Sequence, residues 1–185
     1  MRIGIDCDGV LRQFIDSVSR VISKHYPDKA NELRMDNVDW GFTSWIPFWT
    51  EAQTEQFIFK VHFWEIFTTA LPYPTALQDY LVLKQWAQNN GHTLVLVSAQ
   101  RNTTILPTTY WIAQNGFDFK EIHYTHDKWE IDVDFLIDDS QTKLAKFQQR
   151  SVVNGTPICM KRHWNKDVWD TYPCITRLSE LTQII

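Results

Sequence analysis

The first apolar run of the chain, in "RIGIDCDGV", ends in two acids, Asp6 and Asp8, with a single residue between them. Side chains alternate in an extended strand, so both carboxylates point one way and Cys7 points the other. Two like charges held that close raise the energy of the fold unless a cation, a shared proton or a set of hydrogen-bond donors offsets them. A metal site at a strand end does this directly. The plainer reading is a turn, since Asp and Gly are common turn residues and Gly9 follows. Another apolar run, "VDFLIDDS", also ends in two acids, Asp138 and Asp139, and "TLVLVS" ends on the hydroxyl of Ser98.

Alternating strands and helices are what would position these residues. Arg2–Ile5 reads as a strand, followed by apolar residues at Val10, Phe14, Val18, Val21 and Ile22, close to helical spacing. From 23 to 73 the pattern changes. Pro27, Pro47 and Pro72 interrupt it, and aromatics from Trp40 to Phe67 crowd in. This predicts an insertion of short helices with its own small core, over a main unit made of residues 1–22 and 74–185. Thr75 and Gln78 then form a capping-box pattern, with Ala76, Tyr80, Leu83 and Ala87 on one helical face and Gly91 at the helix end. Thr93–Val97 reads as a strand covered on both faces. A helix over Leu106–Gln114, a strand near Glu121–Tyr124, a helix capped by Ser140, the strand "PICM" and a helix from Leu178 to Ile184 complete the chain. Strands alternating with helices imply an α/β fold with a largely parallel sheet and helices on both faces. Ligands bind such sheets at the carboxyl ends of the strands, which gives Asp6, Asp8, Ser98, Asp138 and Asp139 a common address.

Length and composition narrow the function. The 185 residues suit one domain with an insertion, and 44% hydrophobic with 22% charged residues is globular in character. A net charge of −4 disfavours a polynucleotide as partner, while leaving room for a small anion bound through a metal. No apolar run has the length of a membrane span, and the chain enters a strand pattern at once instead of a signal-peptide pattern, so it reads as soluble and cytoplasmic. Cys7, Cys159 and Cys174 form no closely spaced motif, which favours buried thiols over disulfides or a zinc cluster.

Taken in order, "DCDGV", Ser98 in "LVLVSA", Lys128 and "LIDDS" resemble the four motifs of the haloacid dehalogenase-like phosphohydrolases across nearly the whole chain. Within that superfamily the chain is most similar to the 5'(3')-deoxyribonucleotidase group. The resemblance rests on the helical insertion after the first motif, on "HDKWEIDVDFLIDDS" and on "PICMKRHWN". It implies a Rossmann-like three-layer sandwich with a small helical cap inserted after the first strand-helix unit. It also implies a magnesium-dependent phosphomonoester hydrolase. Phosphate monoesters hydrolyse extremely slowly, so a catalyst must neutralise charge and supply a proton. Asp6 would attack phosphorus to form an aspartyl-phosphate, and Asp8 would protonate the leaving oxygen and later take a proton from water. Ser98 would donate to a phosphoryl oxygen, Lys128 would balance charge, and backbone around Cys7, Gly9 and Ala99 would hold the phosphoryl group. Mg²⁺, suited to oxygen ligands, would bridge Asp6, the carbonyl of Asp8 and the second acidic pair, with Asp139 the direct ligand and Asp138 behind it. The implied substrate is a small phosphorylated metabolite, first of all a nucleoside monophosphate and in particular a deoxyribonucleotide. A sugar or cofactor phosphate, polynucleotide ends and a non-catalytic binding role are the alternatives, and a homodimer is compatible with all of them.

The chain departs from the group in using Ser98 where threonine is common, and in carrying Arg12 and Gln13 where a small residue and an acid usually stand. Arg12 would either reach a second anionic group on the substrate or sit in solvent. Among the cap aromatics, Phe63, Trp64 and Trp45 are candidates for contact with a nucleobase, although most of these rings should form the cap's own core. His25, His62, His92 and His123 show no ligand spacing, and His126 reads as a loop residue. His163 and Trp164 fall near the sheet edge, where a supporting role is expected.

Overall fold

The computed structural model describes residues 1–185. Six strands, β1 (Arg2–Ile5), β2 (Thr93–Ser98), β3 (Ile122–Tyr124), β4 (Phe135–Asp138), β5 (Thr156–Met160) and β6 (Cys174–Ile175), form one sheet in the order β3-β2-β1-β4-β5-β6. All neighbours are parallel. Ile5 is in register with Leu96 of β2 and with Ile137 of β4. The three central strands therefore finish at the same edge, and the residues just beyond them meet there.

Alternation sorts the strand residues between two faces. Ile3, Ile5, Leu94, Leu96 and Ile137 point into the larger core, under helices α4 (Ala76–Asn89) and α5 (Asn102–Gln114) and the 3₁₀ segment Leu178–Gln183. Val95, Val97 and Leu136 point to the other face and meet Phe147 of helix α6 (Gln141–Arg150). Burial on both sides explains why β2 is an unbroken apolar run.

Between α1 (Phe14–His25) and α4 lies a region of short helices. It holds a 3₁₀ turn at Pro27–Glu32, α2 (Glu51–Gln56), a π-helical turn at Phe57–Val61 and α3 (Phe63–Thr69). Its core combines Trp45, Ile46, Phe57, Ile58, Ile66 and Phe67 with Phe14, Ile15, Val18, Val21 and Ile22 of α1. Helix α1 thus runs past residue 22 and gives its apolar face to the inserted region.

Two capping expectations do not hold. Thr75 makes no side-chain cap to α4; its hydroxyl donates to Asp79 (2.6 Å), which Arg177 and Ser179 also engage. Ser140 precedes α6 with no side-chain cap, and its backbone N–H donates to Asp138 Oδ1 (2.8 Å). The last segment is 3₁₀ rather than α-helical, and α5 starts four residues before Leu106 with Pro107 inside it.

Candidate active site

The loop after β1 is tightly tied. Asp6 N–H donates to Ile137 O (3.0 Å) and so extends the sheet ladder by one residue, while Cys7 O accepts from the N–H groups of Leu11 and Arg12 (2.8 and 2.9 Å). The Cys7 side chain is buried in the larger core, on the face away from Asp6 and Asp8 as alternation requires, so only its backbone is on the site's side. Gly9 turns the chain at φ +77°, where a Cβ would lie 2.2 Å from Asp139 Oδ2. Arg162 holds the turn from outside, donating to the carbonyls of Gly9 (2.6 Å) and Val10 (3.3 Å) with its guanidinium 3.8 Å from the centre of the Tyr73 ring. Replacing Gly9 by Ala forces Asp139 or the loop to move and strains the backbone. A displacement of this kind costs about a hundredfold in turnover, and steady-state kinetics on the Gly9→Ala protein check it.

Below the loop, Asp6, Asp138 and Asp139 present carboxylate oxygens within 4.8 Å of one another, all buried, with Lys128 the one cation among them. Lys128 Nζ is 2.6 Å from Asp138 Oδ2 and 2.9 Å from Asp6 Oδ1. Burial opposes its charge, but Asp138 and Asp6 hold its pKa above the usual lysine value. Burial pushes Asp6 up to about 7 against the pull of Lys128, and pushes Asp139 well above the carboxylate range with Asp138 and Asp6 adding to the effect. One lysine does not offset three carboxylates. Asp6 Oδ1 and Asp139 Oδ1 are buried without a hydrogen-bond partner, the contact with Lys128 being an ion pair that lacks hydrogen-bond geometry. The unpartnered Asp139 Oδ1, surplus negative charge and an oxygen-only donor set fit a hard divalent cation. Two observations divide the acidic pair. Asp138 lines the cleft but is engaged by Lys128 and by Ser140 N–H, whereas Asp139 keeps a free Oδ1 and receives Trp164 Nε1–H on Oδ2 (2.7 Å).

Asp8 makes a different set of contacts. Arg12 grips both of its oxygens, Nε to Oδ1 at 2.7 Å and Nη2 to Oδ2 at 3.0 Å, and Gln100 Nε2–H adds a third bond to Oδ2 (2.8 Å). Arg12 is fully buried, donating also to Phe67 O and Thr108 Oγ1, with its guanidinium about 5 Å from the Phe67 and Trp111 rings. Arg12 is therefore not in solvent, and four of its five N–H donors are used within the protein. Gln100 also donates to Ser98 Oγ (3.0 Å), and its own carbonyl is held by Thr104 and Thr108.

Above these groups opens a cleft of about 250 Å³, floored by Asp6, Asp8, Ser98, Lys128 and Asp138 and walled by Phe14, Trp40, Phe42, Phe59 and Phe67. Its volume is somewhat below that of most small-molecule pockets, roughly 300–1,000 Å³. Arg101 spans from the β2 end to the insertion, pairing with Glu55 and lying 4.1 Å from the centre of the Phe59 ring, while Thr103 donates to Phe59 O (3.1 Å).

Residues 1–185 match the 5' nucleotidase, deoxy (pyrimidine), cytosolic type C protein family over the entire chain. The chain belongs to that family. It is a phosphatase of the nucleotidase kind. It is 22% identical over 172 residues to a Chlorobaculum tepidum protein named "Putative 5'(3')-deoxyribonucleotidase", covering 90% of this chain and 81% of that one. The fold is shared with L-2-haloacid dehalogenase from Xanthobacter autotrophicus at TM-score 0.60 and 10% identity, over 99% of this chain and 97% of that one. The same enzyme with chloropropionic acid covalently bound aligns at TM-score 0.62 and 9% identity, with the same coverage. Identities this low speak to the haloacid dehalogenase-like fold alone.

Within this nucleotidase fold, the sheet edge brings together Asp6, Asp8, Ser98, Ala99, Lys128 and Asp138. It does not bring Phe63, Trp64 or Trp45 to the cleft. Trp45 is fully buried in the insertion's core with Nε1–H on Asp39 O (3.1 Å), Phe63 packs on that core, and Trp64 is 47% exposed beside Tyr110. His126, expected as a loop residue, lines the cleft together with Lys143. Burial lowers the pKa of both, with positive neighbours contributing. Trp164 supports the site through Asp139, whereas His163 turns to Met35 O (3.1 Å). Gln100 carries no motif signal; only its place two residues after Ser98 could have marked it.

Proposed function

We propose that this nucleotidase-family protein hydrolyses nucleoside monophosphates, deoxyribonucleotides foremost, through a covalent phosphoryl intermediate on Asp6 with Mg²⁺ as cofactor. The carrying observation is the buried Asp6 carboxylate, ion-paired with Lys128 and beside the Asp138–Asp139 pair, at the floor of an aromatic-walled cleft. Asp6, the Asp8 carbonyl and the acidic pair would hold the cation, which supplies charge neutralisation for the phosphoryl group. An Asp6 oxygen attacks phosphorus as the ester bond breaks, and Asp8, once it has taken up a proton and one oxygen is released from Arg12, gives that proton to the departing alkoxide. Water then attacks the phosphoryl group, passes a proton to Asp8 and frees Asp6. Ser98 donates to a phosphoryl oxygen, and Lys128 keeps Asp6 charged and aimed.

The insertion, residues 23–73, acts in this reading as a cap that excludes water and reads the leaving group. Trp40, Phe42 and Phe59 are the faces offered to a base, with Phe14 and Phe67 closing the inner wall. The cleft volume favours a mononucleotide over a polynucleotide. No helix is long and apolar enough to cross a membrane, and the family's description as cytosolic supports a place in the cytoplasm.

The test is phosphate release from a panel of 5'- and 3'-nucleotides, sugar phosphates and a phosphorylated oligonucleotide, each with Mg²⁺ or EDTA. Release from deoxynucleotides that EDTA abolishes is the expected result. Release only from sugar phosphates overturns the substrate, and release undiminished by EDTA overturns the cofactor.

A further inference from the structure

On the far side of the insertion from the cleft floor, three groups from separate segments converge. His25 ends α1, His62 follows the π-helical turn and Glu65 lies in the first turn of α3. Their donor atoms all lie within 4.8 Å of one another, and none of the three lines the cleft. The two oxygens of Glu65 have separate partners. Lys24, an exposed side chain, takes Oε1 (2.5 Å), while His25 Nε2 (2.9 Å) and His62 Nδ1 (3.9 Å) both approach Oε2. The imidazoles lie against each other, ring centres 4.1 Å apart, and His62 is backed by Phe57 at 4.4 Å.

Two aromatic nitrogens and one carboxylate oxygen are a donor set for a borderline cation, not for Mg²⁺, which prefers oxygen throughout. We propose that His25, His62 and Glu65 form a second cation site, separate from the active site, that takes a zinc-type transition-metal ion. The neutral His25 tautomer that carries its proton on Nδ1 offers the Nε2 lone pair to the ion, which takes the place of the hydrogen bond to Glu65 Oε2. It draws the donors to about 2.0–2.2 Å from itself and leaves a fourth position for water. Small movements of His62 and of the Glu65 side chain suffice, with Lys24 staying on Oε1. Burial and the neighbouring His25 hold His62 below the usual imidazole pKa, which favours the unprotonated form a metal needs. Occupancy would pin the end of α1 to the start of α3. The π-helical turn that carries Phe59 to the cleft wall lies just before His62, so the ion would stiffen the support of that wall.

The full chain, stripped of metal and then saturated with Mg²⁺ to fill the active site, is titrated with Zn²⁺ by calorimetry. One equivalent of Zn²⁺ is expected to bind and to raise the melting temperature. In the His25→Gln/His62→Gln protein, affinity should fall by more than the roughly 10–100-fold that loss of an outer-shell partner costs, with Mg²⁺-dependent phosphatase activity retained. Co²⁺ in place of Zn²⁺ should give visible absorption bands that the double variant lacks. Glu65→Gln keeps both imidazoles and gives an independent reading if the double variant does not fold. Absence of Zn²⁺ uptake by the Mg²⁺-saturated wild type, or equal uptake by the folded variants, overturns the site.

Discussion

Asp6→Asn is expected to abolish phosphate release, by roughly 10⁴-fold or more, because an amide neither attacks phosphorus nor leaves as a carboxylate from the intermediate. The same substitution should stabilise the metal-free protein. Burial pushes Asp6 up to about 7, against about 3.9 for an aspartate in an unfolded chain. Between those values the folded protein keeps a proton that the unfolded chain has lost, so wild-type stability falls as pH rises through that window and the loss is complete above it. Asn carries no such penalty. In EDTA its advantage in melting temperature should grow from about pH 4 to about pH 7 and then level off. With Mg²⁺ present the wild type should recover stability and the variant much less, since the ion loses a ligand. Turnover that survives the substitution would remove Asp6 as nucleophile. A melting difference that is flat in pH would show that the buried charge is already offset by Lys128.

The parts of the fold set by local alternation were legible from the chain. Ile3, Ile5, Leu94 and Leu96 alternate with residues of the opposite face, and the shared end of β1, β2 and β4 follows from a parallel sheet. The convergence of Asp6, Ser98 and Asp138 rests on the same rule. The cleft wall was not legible, because spacing within one element does not choose between its rings: Phe63 and Phe67 lie one turn apart on α3, and only the packing of α1 and the rest of the insertion around that helix decides which of them faces the cleft. Phe59 and Phe67 reach the cleft while Phe63 and Trp64 do not. The pairing of His25 with His62 was equally hidden. They are far apart in sequence, and only the packing of α1 beside α3 joins them. The caps at Ser140 and Thr75 were not made, although nearby carboxylates take the Ser140 N–H and the Thr75 hydroxyl. The fate of Arg12 was hidden too, since its cavity is built by Phe67 of α3 and by Thr108 and Trp111 of α5, two later segments.

Arg12 is therefore the residue whose replacement should separate positioning from substrate binding. Four of its hydrogen bonds go to Asp8, Phe67 O and Thr108, and its flat guanidinium is what spans them. Arg12→Met fills the space but leaves Asp8 and Phe67 O without their donors, and breaking a buried ion pair from one side costs about 3–5 kcal/mol. The lower end is expected here, because Asp8 keeps Gln100 and is itself 13% exposed. Arg12→Lys keeps the charge and loses the fork, so it should recover much of the stability without restoring two-point control of the carboxylate. If Arg12 acts by aiming Asp8, kcat in the Lys protein should fall about a hundredfold with KM close to the wild-type value, since Ser98, Lys128 and the aromatic wall are untouched. A contact between Arg12 and an anionic group of the substrate predicts the reverse, a raised KM at nearly constant kcat. Burial of the guanidinium under Phe67 and Trp111 favours the first pattern. Steady-state kinetics on the Lys protein, with melting curves for both variants, separate the two.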